Sequence, residues 1–207
     1  DEAEIAVHGR GGHGSEPENT SDPIVAGASI VMALQTIVSR NIQAFDPAVI
    51  TVGSFHGGSA SNIIPSDVEL VIGIRSIDPA TRDFIEKRIT EIARFQAESY
   101  CMTASVNYKR SYDATVNHTA ETSFLRAQAV QFTGAENVSD LDHPLMGSED
   151  FTYMLQACPG SYFFIGTLSS ENTVSLHHPG YDFNDDILPI GAQFWTHLTE
   201  AFLAPAQ

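Results

Sequence analysis

The sequence predicts a mixed α/β chain in two zones, a β-α-β-β-α-β unit over residues 3–112 followed by an α/β remainder over residues 113–207. Three observations predict it. Four strand-like runs in the first zone are separated by two capped stretches of helical periodicity. After residue 112 the apolar pattern is almost entirely helical. The one strand candidate there is the short run Ser161–Ile165, too little sheet for an independent α/β layer.

The elements follow in order. Ile5 and Val7 alternate with smaller or polar neighbours and mark a short strand, which runs into the glycine-rich turn His8-Gly9-Arg10-Gly11-Gly12-His13-Gly14. Ser21-Asp22-Pro23 supplies a cap and a proline suited to the first helical turn, and Ile24, Ala28, Val31, Leu34 and Val38 then recur at helical spacing. Val49–Phe55 is a β-rich run. Beyond Gly57-Gly58 a strand sets Leu70, Ile72 and Ile74 on one face and Glu69, Val71, Gly73 and Arg75 on the other. Asp78-Pro79 starts a second helix with a stripe of Ile85, Ile89, Ile92 and Gln96, and Ala104, Val106 and Tyr108 alternate in a fourth strand. That order is the split β-α-β arrangement of ferredoxin-like domains. In the second zone, helices are expected over Asn117–Phe132, after a Ser148 cap with Glu149 and Asp150 in the first turn, and over Ile187–Leu203. Ser161–Ile165 is expected as a buried strand.

Composition narrows the function. A net charge of −16, from 26 acidic and 10 basic residues, argues against nucleic acid or an anionic membrane as partner. Residues 1–126 carry all ten Lys and Arg; residues 127–207 carry ten acids and none. That acidic stretch fits metal ions, contact with further protein, or a solvated surface. No apolar run approaches the roughly 18 residues of a membrane helix, and no basic-then-apolar leader opens the chain. A cytoplasmic protein is expected, and the start without Met, almost directly into a strand, reads as part of something longer. Cys101 and Cys158 match no metal or redox spacing.

Four residues stand out as chemistry-bearing. His177 lies in the loop Leu176-His177-His178-Pro179-Gly180-Tyr181-Asp182-Phe183-Asn184-Asp185, where imidazoles, carboxylates and an amide crowd together. Neutral imidazole is a common metal ligand, although surface histidines outnumber ligands. His13 sits on a flexible glycine turn where backbone can approach a ligand closely, although by residue type alone a solvent-exposed loop histidine is the commoner case. Asn62 and Arg75 pair an amide with a guanidinium, a combination that can hold a carboxylate; either can also be plain surface. Glu149 is explained by helix capping and carries no catalytic assignment.

Six segments in this order resemble one family. They are Gly9-Arg10-Gly11-Gly12-His13; Asp22-Pro23-Ile24 with Leu34-Gln35; Gly58-Ser59-Ala60-Ser61-Asn62-Ile63-Ile64-Pro65; Gly73-Ile74-Arg75; Met146-Gly147-Ser148-Glu149-Asp150-Phe151; and the His177 loop. Together they span nearly the whole chain, and they are similar to the zinc-dependent aminoacylase and carboxypeptidase superfamily, peptidase family M20. The nearest branch is that of hippurate hydrolase and indole-acetyl-amino-acid hydrolase. The resemblance implies that residues 3–112 are a ferredoxin-like lid that pairs in a homodimer, and that residues 113–207 are the carboxy-terminal part of an α/β metallohydrolase catalytic domain. It implies that His13 reaches the partner subunit's active site to polarise the scissile carbonyl. Asn62 and Arg75 would hold the substrate carbonyl or carboxylate, and His177 would be the last ligand of a two-metal site, zinc or manganese. His178 stands where relatives often carry Asn and receives no role. The family's other ligands and its general-base glutamate lie ahead of the lid and find no counterpart here, so the chain alone is expected to lack amidase activity. The implied substrates are N-acyl or N-aroyl amino acids or short peptides. The other reading, from the ferredoxin-like unit alone, is a non-catalytic dimerisation or small-ligand-binding module; it does not account for the acidic second zone and its His177 loop.

Overall fold

The computed structural model describes residues 1–167, 174 and 176–204. These divide into two compact units, the first of residues 1–114 with 146–148, the second of residues 115–145 and 149–207.

The first unit is an antiparallel sheet covered on one face by two helices. In chain order its elements are β1 (Glu2–His8), β2 (Gly12–His13), α1 (Pro23–Thr36), β3 (Ala48–His56), β4 (Ile63–Ile64), β5 (Asp67–Ser76), α2 (Pro79–Ser99) and β6 (Thr103–Lys109). The sheet runs β3-β5-β1-β6, and β2 pairs with β4 in a separate two-residue ribbon. Alternation decides which face is covered: Ala3, Ile5 and Val7 of β1 and Val68, Leu70, Ile72 and Ile74 of β5 are all buried. Against them pack Ala26, Ile30, Leu34 and Ile37 from α1 and its last turn, and Ile85, Ile89, Ile92, Ala93 and Ala97 of α2. Both helices begin as the sequence predicts. Asp22 Oδ1 accepts from Ile24 N at 2.9 Å, Asp78 Oδ2 accepts from Thr81 N at 2.8 Å, and each cap is followed by proline.

The expected α1 stripe fails at three of its five positions. Ile24, Ala28 and Val38 are exposed and Val31 is half-buried; of the five only Leu34 is in the core. The helix is apolar on every side, so periodicity could not select the face. It also corrects the expectation about apolar runs: together with the π-helical turn Ile37–Asn41 that continues it, α1 makes a 19-residue helix, Pro23–Asn41, of mean hydropathy 1.4, long and apolar enough to cross a membrane. Here its buried side completes the core.

An ionic clamp ties both ends of this unit together. The Asp1 carboxylate, 3% exposed, accepts from Arg82 Nε at 2.7 Å, Arg82 Nη2, Tyr108 Oη at 3.0 Å and Ser111 N at 2.9 Å. Arg82 Nη1 also donates to Asp113. Burial, with the Glu86 carboxylate nearby, pushes the Tyr108 phenol up to about 12.

In the second unit, α3 (Thr119–Thr133), α4 (Phe151–Ala157) and α5 (Ile187–Leu203) surround a small core of Thr152, Leu155, Phe194 and Leu198. Aromatic pairs knit it: Phe124–Phe202 at 5.9 Å, Phe132–Phe194 at 5.4 Å and Phe163–Phe194 at 5.5 Å between ring centroids. Ser161–Ile165 is not a strand, and Phe164 is 60% exposed. In place of a neighbouring strand, the Asn117 side-chain amide accepts from Tyr162 N at 2.7 Å and donates to Tyr162 O at 2.8 Å. Ser148 does not cap α4 either. The helix starts at Phe151 after Asp150, and the Ser148 hydroxyl accepts from Arg75.

Candidate active site

The β2–β4 ribbon brings two of the four singled-out residues together. His13 lies opposite Ile63, and Gly14 N donates to Asn62 O at 2.8 Å, so His13 and Asn62 are neighbours across the ribbon although 49 positions apart in the chain. Gly11 allows this approach, and Gly9 a second close one between the turn and Ser21. A Cβ on Gly9 would stand 2.3 Å from Ser21 O, and one on Gly11 would stand 2.7 Å from Ile64 O, so any larger residue collides with backbone.

The turn after His13 closes with Glu16 N donating to His13 O at 2.9 Å. Within it, His13 Nδ1 lies 3.2 Å from Ser15 N and 2.8 Å from Ser15 Oγ. The His13 and Asn62 side chains are both exposed. Ser15 was not among the residues sequence reasoning selected. Its signal is the serine two positions after a turn histidine, close enough to bond the ring locally.

Arg75 stands apart from this pair. The ribbon emerges from the pole of the sheet where β1 ends and β5 begins; Arg75 is on β5 eight residues beyond Asp67, about 26 Å at 3.3 Å per residue. There, with Lys109, Ser111, Tyr112 and Ser148, it lines a groove of about 310 Å³. A slightly larger groove of about 340 Å³, lined by Asp83, Glu86, Lys87, Thr90, Glu91 and Arg110, contains none of the four residues.

In the second unit, His177 is exposed and holds a left-handed backbone, φ 67°. The adjacent His178 is engaged locally, its Nδ1 accepting from Gly180 N at 3.0 Å. Glu149 is engaged too: its carboxylate accepts from Tyr162 Oη at 2.8 Å, which lowers the Glu149 pKa and raises that of Tyr162. Among the described residues no three or more His, Cys, Asp or Glu side chains gather as a metal site. A two-metal centre therefore does not fit the described residues of this chain by themselves.

One further constellation was invisible in sequence. His8 Nδ1 lies 2.7 Å from Asp67 Oδ1 and His8 Nε2 lies 3.2 Å from Ser105 Oγ, joining β1, β5 and β6 on the uncovered face. Only strand register brings these three together.

Comparison with known proteins gives this geometry a context. The family described as Peptidase dimerisation domain matches residues 1–101. The hippurate hydrolase of Campylobacter jejuni is 35% identical over 203 residues, covering 98% of this chain and 52% of that protein. The IAA-amino acid hydrolase ILR1-like 4 of Arabidopsis thaliana is 33% identical over 203 residues, covering 95% and 46%. The chain thus spans about half the length of the curated relatives it matches. Among solved structures, the Bacillus subtilis YXEP protein, described as a dinuclear metal binding peptidase from M20 family, superimposes with a TM-score of 0.74 at 21% identity, over 99% of this chain and 50% of that one. At that identity the likeness speaks to the fold.

Proposed function

We propose that the chain, a member of the M20 peptidase family, forms part of a metal-dependent amidohydrolase cleaving N-acyl or N-aroyl amino acids or short peptides. The observation that carries this reading is the identity of 33–35%, sustained over at least 95% of the chain, to relatives named for hydrolysis of hippurate and of amino-acid conjugates.

In this reading residues 3–112 are the lid and residues 113–207 belong to the catalytic domain. His13 polarises the substrate carbonyl and stabilises the charge that develops on its oxygen. Asn62, its neighbour on the ribbon, hydrogen-bonds the same part of the substrate, and Arg75 holds a carboxylate by its planar fork. The ribbon and Arg75 lie toward opposite poles of the sheet, farther apart than one small substrate spans. That separation supports a homodimer in which the ribbon serves the partner's site and Arg75 its own. The edge strand β3 is the surface for that pairing. Its Val49 and Phe55 are 41% and 40% exposed, and Val25 and Met32 of α1 and Phe45 before β3 add exposed apolar area. The opposite edge, β6, is guarded by Lys109 paired with Glu4 at 2.6 Å.

A divalent pair, zinc or manganese, belongs to this reading, with His177 as the one ligand proposed from this chain. The remaining ligands and the group that activates water are assigned to residues outside it. Cys101 and Cys158 are free, exposed thiols, which favours a reducing compartment such as the cytoplasm.

The test is a hybrid polypeptide joining these 207 residues to the half of the C. jejuni hippurate hydrolase that they do not match. Metal-dependent release of glycine from N-benzoylglycine, abolished by His13→Ala, supports the reading. Turnover by the 207-residue chain alone, above the blank with zinc or manganese, overturns the division of the site.

A further inference from the structure

We propose that Ser15 is a positioning residue that holds the neutral His13 imidazole in the tautomer with its proton on Nε2, so that the ribbon presents an N–H donor to the substrate. This rests on the reading of His13 as the group that polarises the carbonyl.

The argument starts from a donor whose role is fixed. A backbone N–H can only donate, and Ser15 N lies 3.2 Å from His13 Nδ1, so Nδ1 is an acceptor. The Ser15 hydroxyl, 2.8 Å from the same nitrogen, must then donate as well. A neutral imidazole carries one N–H, which leaves the proton on Nε2. Bonds on either side keep the serine in place, from Gly14 N to Asn62 O at 2.8 Å and from Glu16 N to His13 O at 2.9 Å. The consequence is chemical. A protonated Nε2 offers a hydrogen bond to a developing oxyanion, whereas a bare Nε2 lone pair repels it. Ser15 touches no substrate in this scheme; it decides which face of the imidazole's chemistry the substrate meets.

The test is long-range ¹H–¹⁵N correlation of the histidine rings in the ¹⁵N-labelled chain, at a pH of about 8.5 where ordinary imidazole is neutral. The His13 signals are identified by their loss in His13→Gln. In the unsubstituted chain, Nδ1 is expected as the unprotonated nitrogen and Nε2 as the protonated one. Ser15→Ala keeps the backbone donor but loses the hydroxyl, and the ring is expected to drift toward a mixture of both tautomers. Ser15→Thr should restore the single form. A proton on Nδ1 in the unsubstituted chain, or an Ser15→Ala spectrum identical to it, overturns the proposal. So does collapse of the ribbon in Ser15→Ala, read from the amides of Gly14, Asn62 and Ile63, since Ser15 would then be a folding residue. None of these readouts depends on turnover. In the hybrid enzyme Ser15→Ala should lower kcat by about tenfold at unchanged KM, a fraction of the 10²–10³ that loss of a whole oxyanion donor costs. If His13→Gln kept full kcat there, the role of His13 would fall while the tautomer result stood.

Discussion

Replacing Arg82 with methionine should loosen the first unit far more than an ordinary surface substitution would. The guanidinium is 13% exposed and lies against an Asp1 carboxylate that is 3% exposed. Methionine fills much of the same volume but leaves that carboxylate buried without its cation, a loss that costs about 3–5 kcal/mol in comparable buried pairs. Tyr108 Oη and Ser111 N would still donate to Asp1, so the lower end, about 3 kcal/mol, is expected. Native-state hydrogen exchange is the suitable assay because it reads each unit separately. Amides of β1 and β5 that exchange only through opening of the whole unit should exchange about two orders of magnitude faster, at 1.4 kcal/mol per decade. Amides of α3 and α5 serve as the internal control. Adding Asp1→Leu should recover most of the loss, because removing both members of a buried pair is far cheaper than removing one. Acceleration of less than about threefold in the single variant would refute the view that the Asp1–Arg82 pair holds this pole together.

Further expectations concern other regions. Tyr108 ionises near 12 in the folded chain and near 10 when unfolded, so between those values the folded state binds the extra proton and stability falls as pH rises. The loss should not exceed about 2 kcal/mol once the solvated part of the ring is discounted. Ultraviolet absorbance of the phenolate followed against pH, compared with Tyr108→Phe, should show the late phenol. Met32→Glu, placing a charge on α1 at a residue that is 72% exposed, should shift the chain from dimer to monomer in light scattering; a monomer before substitution would count against the proposed β3 interface. His197→Phe should raise stability by about 1 kcal/mol, since His197 Nε2 is buried beside the Phe132 and Phe194 rings with no hydrogen-bond partner among the described residues. Urea denaturation monitored in the second unit would test it.

Some of this was plain from sequence and some was not, for identifiable reasons. Leu70, Ile72 and Ile74 alternate with Glu69 and Arg75, and all three apolar residues are buried, because a sheet covered on one face imposes a period of two. Ile85, Ile89 and Ile92 were equally legible, since Glu86, Lys87, Arg88, Thr90 and Glu91 marked the solvent side of α2. On α1 no polar face existed to contrast with the core, and the chosen stripe missed Ala26, Ile30 and Ile37. The apolar run at Ser161–Ile165 resembled a strand, but strands need partners, and the Asn117 amide took that place. At the site, His13 and Asn62 each stood out by residue type and neighbourhood. Their pairing did not, because a ribbon two residues wide has no periodicity to read. Ser15 was hidden by its ordinariness.

In the sheet, β1 and β6 are antiparallel neighbours with Glu2 opposite Lys109, and the Asp1–Arg82–Asp113 contacts bind the segments just outside them. The backbone therefore comes into this unit and departs from it side by side. A module built that way can be spliced into a host polypeptide at a single surface position without forcing the host's own ends apart. The same property makes it portable: residues 1–113 could be grafted across a tight loop of an unrelated scaffold, carrying the His13–Asn62 ribbon at the far pole as cargo.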